Sequence, residues 1–278
     1  MKTPDSLKAC INPKETLYFW IAVIATLAVV CWILGSITLL GAVLGTTLKE
    51  TLQNDVDPSV TLMVIVSYVV FYVAMIGIAL FIGQGLFVGW LEGNAVKISP
   101  QQFPEIDARG TVLAEKIGLK KRPNMYVLQE GGFLNAFATR FFAKDYAVFY
   151  SEVIELAYQE GEEALDFIIA HEFAHIQRNH VLKRFLLFIG LLMPFLGKAY
   201  YRACEYTCDA MAAFVAPQGA IKGLTLLAVG KHLHKRMLPD VMVRQAEDEA
   251  GVWCWLAEIV STHPHLYKRI QRLLMWHL

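Results

Sequence analysis

"HEFAHIQRNH", residues 171–180, places three histidines and a glutamate within ten positions. On a helix, residues i and i+4 share one face, about 40° apart. His171 and His175 therefore point the same way and can ligate one ion together. Glu172 projects beside them, where a carboxylate can take a proton from a water activated by that ion. His180 lies five positions past His175, about 140° further round the helix. It faces away from the other two and reads as a surface or outer-sphere residue. The apolar "FIIA" directly before His171 predicts a buried approach to the site rather than a solvated row of histidines.

A hydrolytic zinc site takes three protein ligands and keeps one position open for water. The candidates for the third ligand are His180, Cys204, Glu205, Cys208, Asp209 and His263. Cys204 and Cys208 form an i,i+4 pair, and two histidines with two cysteines would make a closed structural site. A closed site leaves Glu172 without a water to activate, which favours Glu205. Asp209 follows Glu205 by one turn, within reach of a ligand histidine's second nitrogen, where such ligands usually meet a carboxylate. The residues by themselves leave the cysteines open.

Composition sets this site in an unusual chain. Of 278 residues, 56% are hydrophobic and only 18% charged, against about a quarter charged in an ordinary soluble domain. Mean hydropathy is +0.43. The formal net charge is zero, which argues against a nucleic-acid binder with a basic face. The apolar excess is concentrated in residues 17–48 and 58–91, neither of which carries a charge. Each exceeds the roughly 20 residues that cross a bilayer core of about 30 Å. Lys2, Lys8 and Lys14 precede the first run, the loop between the runs is acidic, and six basic residues follow between Lys97 and Arg122. The positive-inside rule then predicts a multi-pass protein with its N-terminus and main domain in the cytoplasm. Five cysteines, an odd number spread across the chain, make no disulfide framework.

The sequence divides into a cytoplasmic N-terminus (1–16), a membrane anchor with two transmembrane helices (17–91), and a domain (92–278). Within the domain, "FPEIDARGTVLAEKIGL" reads as a helix with acids in its first turn. "RPNMYVLQ" and "DYAVFYS" read as strands. "EGGFLNAFATRFFAK" reads as a further strand after a Gly131-Gly132 turn, at a sheet edge. Residues 160–185 read as one helix, and about 198–215 as a second. Residues 185–197 are apolar but too short to span, and Pro194 interrupts them. They are either core or an in-plane membrane contact. The rest reads as mostly helical. The expected class is α+β and mostly helical, with a small β-sheet.

Four segments in order resemble the integral-membrane zinc metallopeptidases of the HtpX and CAAX-prenyl-protease type, in the gluzincin group. "NAFATR" (135–140) is similar to that family's N-A-F-A strand, and "AHEFAHIQRNH" to its A-H-E-x-x-H helix. "RACEYTCDA" is similar to its R-x-x-E-Y-x-A-D-A segment, and "STHPHLYKRI" to its T-H-P-x-x-x-x-R-I segment. The resemblance implies one Zn2+ per chain held by His171, His175 and Glu205, with Glu172 as the catalytic base. It implies an outer-sphere place for Asp209, and a role near the site for His263 and Arg269, in stabilising the transition state or orienting Glu205. Asn135, Ala136, Phe137 and Ala138 would receive an extended protein or peptide substrate by strand addition. The implied function is a membrane-anchored metalloendopeptidase acting on membrane or membrane-proximal proteins in quality control. The rival is a non-catalytic, zinc-stabilised scaffold or chaperone that binds unfolded segments. The chain departs from the family pattern in two places. Cys208 stands where a small residue is usual, and only residues 185–197 separate the two zinc helices where the HtpX type has further spans.

Overall fold

The computed structural model describes residues 4–52, 57–129 and 135–276. A short helix α1 (Pro4–Ala9) leads into two long helices, α2 (Pro13–Leu52) and α3 (Pro58–Asn94). Pro58 at the start of α3 and the Asp57 side chain, which accepts from the Ser59 amide at 2.9 Å, fix where that helix begins. The protein covers almost none of the apolar side chains along either helix, and Trp32, Phe71 and Leu86 are among those exposed. Both helices are long and apolar enough to cross a membrane.

After α3 come β1 (Val96–Lys97) and α4 (Pro104–Lys116), then β2 (Asn124–Leu128), β3 (Ala136–Phe141) and β4 (Lys144–Tyr150). The sheet order is β1-β2-β4-β3. β2 and β4 are parallel, while β1 and β3 run antiparallel to their neighbours. β3 is an edge strand, as its sequence suggests. The Gly131-Gly132 turn expected before it lies outside the described residues. Alternation along β2 and β4 places the sheet between two layers. Met125, Ala147 and Phe149 face the main helical core. Tyr126, Leu128, Tyr146 and Val148 face Val88 and Leu91 at the end of α3. The second long helix is thus one wall of the domain's core.

The remaining elements are helical: α5 (Ser151–Glu160), α6 (Glu163–Gln177), α7 (His180–Leu186), α8 (Phe188–Leu191), α9 (Leu196–Val215), α10 (Ala220–Leu233), α11 (Pro239–Asp248), α12 (Val252–Val260) and α13 (Leu266–Trp276). The mostly helical architecture with a small mixed sheet agrees with the sequence reading. One expectation fails: residues 160–185 are not a single helix. α6 ends at Gln177, and Asn179 adopts the left-handed region (φ 53, ψ 37) before α7 begins. Asparagine tolerates that conformation better than most residues. The bend sends the chain back toward its own preceding turn.

One side of the stretch 185–197 packs on the first long helix. α8 packs on α2, and Gly190 makes the closest approach. A Cβ there would lie 2.2 Å from the Ala22 carbonyl oxygen and 2.5 Å from Thr26 Oγ1. The Gly190 amide donates to Thr26 Oγ1 at 3.1 Å, and that hydroxyl donates to the Ala22 carbonyl at 2.7 Å. Phe185, Leu186, Phe188, Leu192 and Phe195 remain exposed. Gly190→Val should therefore separate α8 from α2 and destabilise the protein by about 1–3 kcal/mol, the usual range for overpacking. Thermal unfolding in detergent measures this; an unchanged midpoint would refute the close contact.

Candidate functional site

Two helices build the site. On α6, His171, Glu172 and His175 are all buried, in a helix whose Phe167, Ile169 and Phe173 anchor it in the main core. On α9, Glu205 and Asp209 are 4% and 2% exposed. The packing of α6 on α9 brings the two sets together. His171 Nε2 lies 3.4 Å from one Glu205 oxygen, and His175 Nε2 lies 3.4 Å from the other. These donors fall within 4.8 Å of one another. Four ligands at about 2.0–2.1 Å from a tetrahedral ion lie about 3.3–3.4 Å apart. Two imidazoles and a carboxylate are also the donor types such an ion takes. The residues present fit a metal ion.

The surrounding charges lock this arrangement. His171 Nδ1 is 3.0 Å from Asp209 Oδ1, off the direction of a good hydrogen bond. Arg269, on α13, donates to both Asp209 oxygens at 2.7 Å and lies 3.8 Å from Glu205. Burial would raise the Glu205 carboxyl, but the facing His175 and His171 rings hold it well below the usual carboxylate range. Burial would likewise raise Asp209, and the Arg269 guanidinium brings it down. Burial opposes charge on His171, yet Asp209 and Glu205 push its pKa up to about 10.

His263 stands at the rim, with its side chain 63% exposed and Nε2 3.7 Å from Glu205. Its loop is pinned by Arg202, which donates to the carbonyls of Glu258, Ile259 and Ser261 at 2.7–2.9 Å. Asn135, Ala136, Phe137 and Ala138 line the same cleft of about 500 Å³ as His171, Glu172, His175 and Glu205. Among the described residues β3 pairs with β4 alone, and its far side faces the cleft. The residues that the family resemblance assigns to the site therefore gather at one place, with Asp209 behind His171 and Arg269 behind Asp209.

Two features differ from the sequence reading or escaped it. Of the two places the sequence allows His180, the surface or behind a ligand, it takes the second, turned toward His175 and not away from it: it is fully buried, and its Nδ1 lies 2.9 Å from His175 Nδ1. The angle of 140° applies only to a continuous helix, and the bend at Asn179 removes that premise. Glu15, from the first turn of α2, reaches the same pocket and is 1% exposed. No local pattern marks it, since it precedes His180 by 165 positions. The cysteines do not join the His171–His175–Glu205 group. Cys204 and Cys208 are buried, and burial pushes the first to about 12 and the second well above the ordinary thiol range.

The model of Peptidase family M48 matches residues 100–194 and 186–277. The chain belongs to Peptidase family M48. A crystal structure of Ste24p from S. mikatae is similar over 92% of this chain, at 17% sequence identity and a TM-score of 0.44. The chain spans 66% of the length of that Ste24p chain. No curated protein matches.

Arg269 is the guanidinium that holds Asp209 in the interior, opposite His171. Arg269→Gln should cost about 3–5 kcal/mol, because it leaves buried carboxylates without their counter-charge. Adding Asp209→Asn should recover part of that loss. Denaturant titration of the single and double variants tests the pair, and strictly additive losses would refute the coupling.

Proposed function

We propose that this chain is a membrane-anchored zinc metalloendopeptidase cutting membrane or membrane-proximal proteins, with protein quality control as its role. The observation that carries the reading is the convergence of two imidazole Nε2 atoms and a carboxylate at 3.4 Å beside the buried Glu172. His171, His175 and Glu205 would hold one zinc ion. When bound, that ion polarises a scissile carbonyl and lowers the pKa of a water in the fourth position. Glu172 accepts the proton from the attacking water and delivers it to the leaving amine. Asn135 to Ala138 pair with an extended substrate segment and hold its peptide bond over the site. Asp209 orients His171, Arg269 keeps Asp209 ionised, and His263 is within reach of an oxyanion forming at the rim.

The position of β3 supports membrane proximity. Gln84 donates to Thr139 at 3.1 Å, and Phe81 and Phe87 contact Phe141 and Phe137. The substrate-facing strand therefore lies against the second long helix. We read residues 17–91 as the anchor and 92–278 as the peptidase domain. Cys10 is buried in the domain's main core, and the Asn12 amide donates to Thr207 at 3.0 Å. That packing supports a common side for the N-terminus and the domain, and the lysine distribution makes that side cytoplasmic.

The alternative, a zinc-stabilised scaffold that binds but does not cut, gives Glu172 no task. Glu172→Gln should keep its zinc and lose at least about 100-fold in cleavage of an unfolded protein, the contribution usual for a general base. Measuring zinc content and cleavage side by side decides: full activity in the variant would sink the mechanism.

Metal uptake should also expel a proton. His171 in the metal-free fold has its pKa raised to about 10, so it is protonated at pH 7–9, whereas a ligand histidine is neutral. Zinc binding at pH 8 should release at least about one proton per chain, and the share that comes from His171 should fade as pH rises through 10. Titration calorimetry in buffers of different ionisation enthalpy reads this directly. A buffer-independent enthalpy at pH 8 would contradict it.

A further inference from the structure

We propose that Glu15 and His180 form a buried relay that fixes the tautomer and orientation of His175, so that the first long helix supports the metal site. The inference rests on the reading of His175 as a metal ligand and goes beyond it. His175 directs Nε2 toward Glu205 at 3.4 Å and Nδ1 toward His180 Nδ1 at 2.9 Å. Two imidazole nitrogens that close must share one proton. If His175 offers its Nε2 lone pair to an ion, its proton is on Nδ1 and is donated to His180. His180 Nδ1 is then the acceptor, and the proton of its neutral ring is on Nε2. That nitrogen faces Glu15 Oε1 at 3.3 Å, at an oblique angle.

The opposite arrangement is disfavoured at both ends. It would place a proton on His175 Nε2, where the ion belongs. It would also turn the His180 Nε2 lone pair toward an anion. The anion is secured by Arg178, whose Nη2 and Nε donate to Glu15 Oε1 at 2.8 and 3.2 Å, and by Lys183 at 3.7 Å. Ligand histidines commonly donate their second nitrogen to a carboxylate. Here a second histidine is interposed, so the carboxylate can come from a different part of the chain.

A competing use of the same residues is a separate metal site. Glu15, His180 and Cys204 have donor atoms within 4.8 Å of one another, and so do His175, His180 and Cys208. Arg178 and Lys183 argue against the first group, because a cation there would face two fixed positive charges. In the second group the Nδ1 atoms of His175 and His180 lie 2.9 Å apart, a hydrogen-bond distance and closer than two ligands of one tetrahedral ion.

The test uses the full chain in detergent, with zinc affinity measured by chelator competition and zinc content by elemental analysis. Glu15→Gln should weaken zinc binding about tenfold and His180→Gln about 10–100-fold, the range for outer-sphere partners. Cys204→Ser should stay within about twofold of wild type, with one zinc per chain throughout. The melting temperature of each metal-free variant separates positioning from folding. Weakened zinc binding with an unchanged metal-free melting temperature supports the relay. Unchanged affinity in Glu15→Gln, whether or not the fold is weakened, overturns it. If His180→Gln does not fold, the isosteric Glu15→Gln still decides. Two zinc ions per chain, with one lost in Cys204→Ser, would also overturn it in favour of a second site. Wild-type protein that binds no zinc would overturn the metal reading itself and is distinguishable from all of these.

Discussion

Two carboxylates one turn apart on a buried helix face are the constraint around which the domain is organised. Glu205 and Asp209 repel each other, and both are buried. Such a pair persists only where positive or hydrogen-bonding partners arrive from other elements. α13 supplies Arg269 to Asp209, and α6 supplies His171 and His175 to the other side. The positions of three helices are thereby coupled through one small volume. The apolar core around Phe167, Phe173, Met211 and Ile270 holds the helices together but is non-directional. The charges select the register in which they meet.

A comparable constraint joins the domain to the two long helices. The sheet is only four strands and has two apolar faces. One is covered by the helical core and the other by the end of α3, so the sheet would lose half its cover without that helix. α8 is seated on α2 through a glycine contact too close for any side chain. Ala22, Tyr200 and Cys204 form a small core of their own between α2 and α9. The anchor is therefore a structural part of the domain that carries the site, and not a tether joined to it by a linker.

How much of this was legible in the sequence follows the range of the interactions. His171, Glu172 and His175 are a one-helix pattern, and periodicity alone places them together. Glu205 and Asp209 are legible as a second one-helix pattern, once a third ligand and its support are required. The strands at 124–128 and 144–150 are marked by β-branched and aromatic residues. The break after Gln177 is not marked, because Arg178 and Asn179 are acceptable inside a helix and the bend is settled by tertiary contacts. The direction in which His180 faces is not legible for that reason. Glu15 sits in a sequence context that reads as the polar start of a membrane helix. Its burial depends on Arg178, Lys183 and His180, none of which is near it in the chain.

Helix length limits where the cleft lies relative to a membrane. α3 has 37 residues, about 55 Å at 1.5 Å per residue, against a bilayer core of about 30 Å. Some 25 Å of the helix must lie outside the core or be taken up by tilt. The contacts with β3 fall between Phe81 and Phe87, about 10–20 Å along the helix from its end at Asn94. If the unused length lies wholly on the domain's side, β3 is held at the level of the headgroups. If it is shared between the two sides, the tip of the β3–β4 hairpin, where Phe142 is exposed beside Phe81, enters the apolar layer. Both cases keep the open edge of β3 close to the bilayer surface. On the proposed reading, a segment that pairs with β3 would have to be extended and within reach of that surface, as the loops and unfolded flanks of membrane proteins are.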